Sequence, residues 1–340
     1  MAMRCQEERA FPRISVVVPA YNVAPYITEA IDSLIKQTTP FFEIIVINDG
    51  STDATADRLS AYQGHPLISV YHTGNQGLGP ARNEGIKRAQ GDYLYLFDSD
   101  DLLSLNFVES MSNALRARPD MELIFFSGEV FSDDNFEPLF YRQVDCDEFK
   151  RGLQRDFPAG LEAVDALRRT GRFTPSACLY LSRRALWNSG LTFKAIVHED
   201  NELIIHLCSL ARVTRVVDTV YFKRRLRNGS LMTSQLSRRN LDGYFQSFLS
   251  TWSVYEGLKI PAHRRVVRYQ LHDLVCLYLH ICHQAQLSPP YSELATFLIR
   301  GHFKVLFKSW SLFLPGRLRQ FLRVLKKNTF SFPSLRKQPD

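Results

Sequence analysis

The sequence lacks the features of a secreted or membrane-spanning protein. Its six cysteines are scattered and form no C-x-x-C pair, so no disulfide framework is indicated. No apolar run is long enough to span a bilayer. Residues 1–10 are polar and carry both charge signs, unlike a secretory signal. We therefore expect a cytoplasmic globular protein whose thiols are reduced.

Two common nucleotide-binding signatures are also missing. The chain contains no P-loop with its Lys-Ser or Lys-Thr ending, and no G-x-G-x-x-G follows the first predicted strand. These absences argue against an ordinary ATPase and against a dinucleotide-binding oxidoreductase.

Excess positive charge is missing from most of the chain and is confined to its end. Residues 301–340 hold nine Lys and Arg against one acid, whereas the preceding 300 residues are close to neutral. A neutral body argues against nucleic acid as a partner. A basic tail indicates attachment to an anionic partner instead.

What the N-terminal part does contain is a strand–helix alternation repeated four times. Strands are predicted at residues 14–19, 42–47, 67–71 and 93–97, with short connections and helical periods between them. This alternation predicts a parallel, three-layer α/β sheet with right-handed crossovers. The carboxyl ends of such strands meet at one edge. That edge would carry Tyr21, Asp49, Asn75 and Asp98 to Asp101.

The fourth predicted strand ends in an acidic turn. The apolar run Tyr93–Phe97 is followed by Asp98, Asp100 and Asp101. Three adjacent carboxylates repel one another, and a divalent cation with oxygen ligands, Mg²⁺ or Mn²⁺, relieves that repulsion. The alternative is an acidic turn that caps the next helix, since Asp is a good N-cap.

Four motifs, in order over about 90 residues, resemble those of the family 2 glycosyltransferases of GT-A fold. They are Val17–Asn22, Ile47–Asp53, Asn75–Ile86 and Phe97–Asp101. The resemblance implies a Rossmann-like, mainly parallel sheet and inversion at the anomeric carbon of a nucleotide-sugar donor. The donor is usually a UDP-sugar, used with Mn²⁺ or Mg²⁺.

The resemblance also implies roles for individual residues. Pro19, Ala20, Tyr21 and Asp49 would contact the base and ribose. Arg82 would lie beside the nucleotide, and Asp98 would face the ribose or sugar. Asp100 would coordinate the metal. Asn75 and Ser99 belong to the same expected donor-binding set.

A second acidic pair precedes a helical period in the middle of the chain. An inverting transfer needs a base that takes the proton from the acceptor hydroxyl. Glu199-Asp200 matches the family's Glu-Asp pair, in which the Asp is the base, so we expect Asp200 to be the base and Glu199 to support it. The alternative is an acidic first helical turn, which the helix dipole favours.

A basic segment follows at residues 221–230, predicted as a loop. Arg225, Arg227 and Ser230 fit an Arg-x-Arg-x-x-Ser-like segment that closes over the donor in the family. Lys223 and Arg224 stand where aromatics are commoner, and we expect them to face an anionic acceptor or a membrane. The alternative is a solvated basic loop.

The last third of the chain is predicted to be helical. Apolar residues in the basic segment Arg317–Lys327 recur at i, i+3, i+4 and i+7. A basic amphipathic helix of this kind is typical of a segment lying in a membrane interface. A helix packed on the domain with a solvated basic face is the alternative.

We therefore expect an inverting glycosyltransferase that moves a sugar from a UDP-sugar to a glycan or lipid-linked acceptor. Residues 1–232 would form the GT-A domain, with a donor half at 11–127 and an acceptor half at 128–232. Residues 233–340 would form a helical region. Family habit and the basic tail suggest lipopolysaccharide or capsule synthesis on the inner face of a cell membrane. The alternatives are a non-catalytic nucleotide-sugar or glycan-binding protein of the same fold and a nucleotidyltransferase.

Overall fold

One mixed sheet runs through the computed structural model, which describes residues 11–133, 147–227 and 236–301. Its strands within these ranges are β1 (Ile14–Ala20), β2 (Glu43–Asp49), β3 (Ile68–Thr73), β4 (Tyr93–Leu96), β5 (Leu102–Leu103), β6 (Leu123–Ser132), β7 (Arg155–Phe157), β8 (Tyr180–Arg183) and β9 (Thr214–Leu226). All seven residues of β1 are buried, as expected for a strand covered on both faces.

The strand order is β3-β2-β1-β4-β8-β6-β9-β5, and β7 also pairs with β9. β1 runs parallel to β2 and β4, and β2 runs parallel to β3. β8 is antiparallel to both of its neighbours, β4 and β6. The first four long strands therefore form the parallel unit that the sequence predicts, and the mixed part of the sheet begins at β8.

Helices cover both faces of the sheet and give it three layers. The helices are α1 (Ile27–Ile35), α2 (Thr55–Ser60), α3 (Leu78–Arg88), α4 (Phe107–Ala117), α5 (Gly160–Arg169), α6 (Glu199–Leu210), α7 (Arg238–Gly257), α8 (Pro261–Gln284) and α9 (Tyr291–Ile299). Val16 and Val18 point into a core shared with α1, α2 and α4, whereas Val17 points into a core shared with α3 and α5–α9. This alternation is the one a strand imposes.

The C-terminal helices α7–α9 continue the core under α5 and α6. Leu241 of α7, Leu274 of α8 and Phe297 of α9 are all buried in the same apolar cluster as Leu203 of α6. We find no helix in the described part of the chain with the length and hydrophobicity that a bilayer crossing requires. The predicted amphipathic segment at 317–327 lies outside the described residues.

Two segments differ from the sequence prediction. The basic segment at 221–227 is mostly strand rather than loop, because Tyr221 and Phe222 are buried and β9 extends to Leu226. The apolar residues 178–181 are typical of a strand, but the strand begins later: residues 177–179 form a 3-10 turn, and β8 starts at Tyr180.

Candidate active site

Asp49 ends β2 and fastens the glycine-rich loop that precedes α3. Its carboxylate accepts hydrogen bonds from the backbone N–H of Gln76 at 3.0 Å and of Gly77 at 2.8 Å. Gly50 follows with φ +70°, and a Cβ there would lie 2.6 Å from the backbone N of Asn75. Only glycine fits this approach. The end of β2 and the loop are therefore held together by buried polar contacts.

The remaining predicted donor-binding residues of the N-terminal half lie along the same edge of the sheet. Pro19 and Ala20 are buried at the end of β1, and Tyr21 directly after them exposes 45% of its surface. Asn75 is exposed in the glycine-rich loop, whereas Ser99 is buried in the acidic turn. An exposed ring beside buried strand ends suits the flat face of a base.

Arg82 connects the two acidic groups that the sequence predicts separately. It lies on α3 with only 1% of its surface exposed. Its Nη2 donates to Asp98 Oδ1 at 2.8 Å. Its Nη1 donates to Glu199 Oε1 at 2.7 Å and to Asp200 Oδ1 at 2.8 Å. One buried guanidinium thus holds a carboxylate from the end of β4 and two carboxylates from the start of α6.

Asp200 is the more open member of the acidic pair on α6. Its side chain is 21% exposed, whereas that of Glu199 is 8% exposed. Asp200 Oδ2 also accepts a hydrogen bond from the backbone N–H of Ala177 at 3.2 Å. Asp200 is therefore fixed in orientation and still reachable by another molecule.

Burial and charge set the protonation of this cluster. Burial would lower the pKa of Arg82, but its three carboxylate neighbours raise that pKa well above the ordinary value. Burial also works against Asp98, yet the charge and hydrogen bond of Arg82 hold its pKa below the usual range. Burial raises the pKa of Asp200 despite Arg82. Burial and the charge of Asp200 raise the pKa of Glu199 to about 7.

The acidic turn is met by arginines from the end of β9. Arg227 Nε forms an ion pair with Asp100 Oδ2 at 2.6 Å. The backbone N–H of Arg225 donates to Asp101 Oδ1 at 2.7 Å, and its Nε donates to the Asp100 carbonyl at 2.8 Å. Two of the three predicted donor-closing residues thus contact the acidic turn directly. The third, Ser230, lies outside the described residues.

Of the two extra basic residues, Arg224 lies near the acidic turn, and its expected contact with an anionic acceptor or a membrane stays a prediction. Burial opposes its charge, but Asp101 and Asp98 are close enough to raise its pKa above the ordinary value. The positive charge of Arg224 therefore offsets part of the negative charge of the acidic turn. Lys223 pairs with Glu129 on β6 at 3.1 Å. The reason is the strand itself, which sends successive side chains to opposite faces.

The acidic turn has the donor chemistry that a divalent cation requires. Carboxylate oxygens of Asp98 and Asp101 and the Cys178 thiol lie within 4.8 Å of one another. Burial and the charges of Asp100 and Asp98 raise the pKa of Asp101 well above its usual value. A divalent cation relieves such crowding, and hard oxygen ligands suit Mg²⁺ or Mn²⁺. Burial also raises the pKa of Cys178, which disfavours the thiolate as a ligand.

Sequence reasoning missed the proximity of Arg224 to the acidic turn and the part of Ala177 in the site. For Arg224, the segment was predicted as a loop, so the direction of its side chain could not be inferred from strand alternation. For Ala177 no signal exists, since its contribution is a backbone N–H that any residue other than proline supplies.

Comparisons with known proteins show the family of this chain. A family model described as glycosyl transferase family 2 matches residues 15–188. The chain belongs to glycosyl transferase family 2. The match includes all four N-terminal motifs, so the family resemblance predicted from them is confirmed.

Curated relatives carry glycosyltransferase names. The glycosyltransferase GlyG of Streptococcus pneumoniae is 30% identical over 234 residues, which cover 65% of this chain and 73% of GlyG. The uncharacterized glycosyltransferase EpsJ of Bacillus subtilis is 46% identical over 94 residues, 27% of each chain. An uncharacterized glycosyltransferase of Rickettsia bellii is 36% identical over 135 residues, 40% of this chain but 20% of the relative. The chain thus spans well under a third of two of these relatives.

Solved structures confirm the GT-A fold. Residues 1–349 of Staphylococcus aureus TarS, in complex with UDP-GlcNAc, align with a TM-score of 0.61 at 20% identity, covering 90% of this chain and 82% of that one. The mannosyltransferase PcManGT of Pyrobaculum calidifontis, in complex with GDP-Man and Mn²⁺, aligns with a TM-score of 0.57 at 17% identity, covering 94% and 88%. Both alignments extend into the helical C-terminal region.

Proposed function

We propose that the protein transfers a sugar, with inversion, from a UDP-sugar to a hydroxyl group of a glycan or lipid-linked acceptor. The observation that carries this proposal is the Arg82 cluster, which fixes Asp98 of the donor edge and Asp200 of α6 on one guanidinium. A donor-side carboxylate and a partly exposed carboxylate on the opposite wall are what a direct displacement needs.

Asp200 is the residue we assign as the base. It takes the proton from the acceptor hydroxyl as that oxygen attacks the anomeric carbon. Arg82 keeps the carboxylate ionised, and burial keeps the pKa of Asp200 above the ordinary value, which strengthens it as a proton acceptor. Glu199 is more buried and shares the same guanidinium nitrogen, so its role is to support that arrangement.

The donor is assigned to the edge formed by β1, β2 and the glycine-rich loop. Pro19 to Tyr21, Asp49, Asn75, Arg82, Asp98 and Ser99 make up the proposed binding set. Arg225, Arg227 and Ser230 are assigned to the diphosphate. A divalent cation at Asp100 would act as the Lewis acid that assists departure of UDP. The UDP-GlcNAc bound to TarS and the Mn²⁺ bound to PcManGT support this choice of ligands.

A non-catalytic binding protein needs none of the machinery around Asp200. Holding two carboxylates of α6 and that of Asp98, just after β4, on a single buried arginine costs desolvation energy. A protein that only bound a nucleotide sugar would gain nothing from a partly exposed carboxylate held in one orientation opposite the donor. The arrangement therefore favours transfer over binding alone.

The experiment is UDP release from a panel of UDP-sugars, with Mn²⁺ or Mg²⁺ and then with EDTA. Water serves as the acceptor in this assay. We expect slow hydrolysis of one donor, abolished by EDTA and by Asp100→Ala. Absence of turnover together with absence of UDP binding would overturn the nucleotide assignment.

We further propose that the enzyme works in lipopolysaccharide or capsule synthesis, bound to the inner face of the membrane through its basic tail. Each basic residue near an anionic surface contributes on the order of 1 kcal/mol. Deleting residues 302–340 should move the protein from the membrane fraction to the soluble fraction. An unchanged distribution would refute membrane attachment by the tail.

A further inference from the structure

Helix α7 lies directly against the turn that leads into Asp200. A Cβ placed on Gly243 of α7 would lie 2.1 Å from the backbone O of Val197. No side chain fits between two backbones at that distance. The helical region therefore touches the main chain three residues before the proposed base, and the missing side chain of Gly243 is what permits the contact.

The residue after Val197 is held in an uncommon conformation. His198 is the N-cap of α6 and has φ +66° and ψ +35°, the left-handed region. A non-glycine residue there needs support from its surroundings. His198 is the residue through which the chain turns into α6, so its backbone angles fix the direction in which Asp200 is presented.

The support for His198 comes from α7. Its ring stacks on Tyr244 with ring centroids 4.2 Å apart and an interplanar angle of 24°. Its Nε2 lies 3.3 Å from Asn240 Nδ2. The amide nitrogen is a donor, so Nε2 accepts. Burial lowers the pKa of His198 to about 4, which keeps the ring neutral and able to accept that hydrogen bond.

A second set of contacts fixes α6 against α7 further along. The hydroxyl of Ser250 donates to the buried carboxylate of Glu202. His206 Nε2 lies 2.9 Å from the same hydroxyl. The helix that carries Asp200 is therefore attached to α7 both at its first turn and in its middle.

We propose that α7 is a positioning element of the active site, in which Gly243 and Tyr244 set the turn at Val197–His198 and thereby the orientation of Asp200. The inference rests on the proposed function, since it concerns the base of that reaction. It assigns a catalytic consequence to the helical region, which otherwise looks like a structural addition to the donor-binding fold. Tyr244 acts through His198 and does not touch the reacting atoms.

The test compares two glycines of the same helix. Gly243→Ala places a methyl group against Val197, whereas Gly257→Ala meets no atom of the described residues within 4 Å. We expect Gly243→Ala to lower kcat for UDP release at least tenfold relative to Gly257→Ala, with the KM for the donor and the Kd for UDP changed less than twofold. Equal kcat values in the two variants would overturn the proposal, as would a parallel loss of UDP binding.

Two substitutions of Tyr244, one that keeps the aromatic ring and one that removes it, provide a second test in case Gly243→Ala does not fold. Tyr244→Phe keeps the stack on His198 and should retain kcat within about twofold of the native enzyme. Tyr244→Ala removes the stack and should lose kcat with UDP affinity retained. Identical behaviour of the two Tyr244 variants would contradict a positioning role.

Hydrogen–deuterium exchange separates failure of this inference from failure of the proposed function. Backbone exchange in residues 197–203 should be faster in Gly243→Ala and Tyr244→Ala than in Gly257→Ala and Tyr244→Phe, whether or not any donor is turned over. Unchanged exchange would refute the contact with α7. Faster exchange together with full activity of Asp200→Asn would leave the contact standing and refute Asp200 as the base.

Discussion

The donor edge and the wall that carries Asp200 are built in different ways. At the donor edge, Asp49 reaches backbone groups 27 and 28 residues away, within one strand–helix–strand repeat. On the opposite wall, Asp200 is held by Arg82 from 118 residues away and stands beside a turn braced by α7. The contacts of the donor edge form within local motifs. The contacts that hold Asp200 form only after distant segments of the chain have packed together.

Arg82 is the point where the two parts meet, so its loss should have the largest effect. Arg82→Leu removes the guanidinium that the three carboxylates share and leaves Asp98 and Asp200 with the more distant charge of Arg224. Removing one partner of a buried ion pair costs about 3–5 kcal/mol, and we expect a loss of that size in the free energy of unfolding measured with urea. A loss under about 1 kcal/mol would contradict the central place given to Arg82.

The same variant carries a pH signature. Without Arg82, burial and mutual repulsion raise the folded-state pKa values of the remaining carboxylates above their unfolded values. Groups with raised folded pKa values stabilise the fold at low pH, and that contribution is lost as the pH rises. The deficit of Arg82→Leu relative to the native protein should therefore be smaller at pH 5 than at pH 8. A deficit independent of pH would point to lost packing instead.

A mid-sized effect is expected at the donor edge, where Arg227 pairs with the proposed metal ligand Asp100. In the absence of nucleotide, Arg227→Ala should tighten Mn²⁺ binding, because the guanidinium competes for Asp100. An ion pair worth about 1 kcal/mol corresponds to about fivefold in affinity. Titration followed by the electron paramagnetic resonance of free Mn²⁺ measures it.

Lys223→Ala is the matched control for this titration. It removes one positive charge from β9, four residues before Arg227, but breaks a pair with Glu129 instead. Mn²⁺ affinity should be unchanged in this variant and lost in Asp100→Ala. Weaker Mn²⁺ binding in Arg227→Ala would refute the competition.

The smallest expected effect concerns the two acids on α6. Burial and the charge of Asp200 raise the pKa of Glu199 to about 7, so Asp200 ionises first and Glu199 is still neutral on the acid limb of the kcat profile. Glu199→Gln imitates that neutral acid, and the acid limb should therefore stay where it lies in the native protein. A displaced acid limb would contradict the assignment of the two roles.

The sequence predicted most of the donor edge and little of the opposite wall. Strand alternation and four motifs were enough for the parallel sheet and for the converging side chains, because each motif folds within one repeat. The region after residue 128 gave weaker patterns. Its strand β8 is short and antiparallel, and β9 continues through a run of basic residues. The basic residues of this segment indicated a loop, whereas its pairing with β5 and β6 makes it a strand.

Contacts between distant segments could not be predicted. Nothing near Arg82 in the chain indicates that its guanidinium ends between β4 and α6. In the same way, the sequence indicates only that Gly243 lowers the stability of its helix. The close approach of α7 to the backbone of Val197, which requires this glycine, is seen only in the folded protein. Such roles depend on which surfaces meet after folding.

The most direct test of the account is Asp200→Asn, measured side by side for UDP binding and for UDP release from the donor that the native protein hydrolyses. The substitution keeps the shape of the side chain and removes its basicity. The account predicts UDP affinity within twofold of the native protein and a loss of turnover of about 10²–10⁴-fold. Turnover retained at the native level would contradict the claim that the carboxylate on Arg82 is the base.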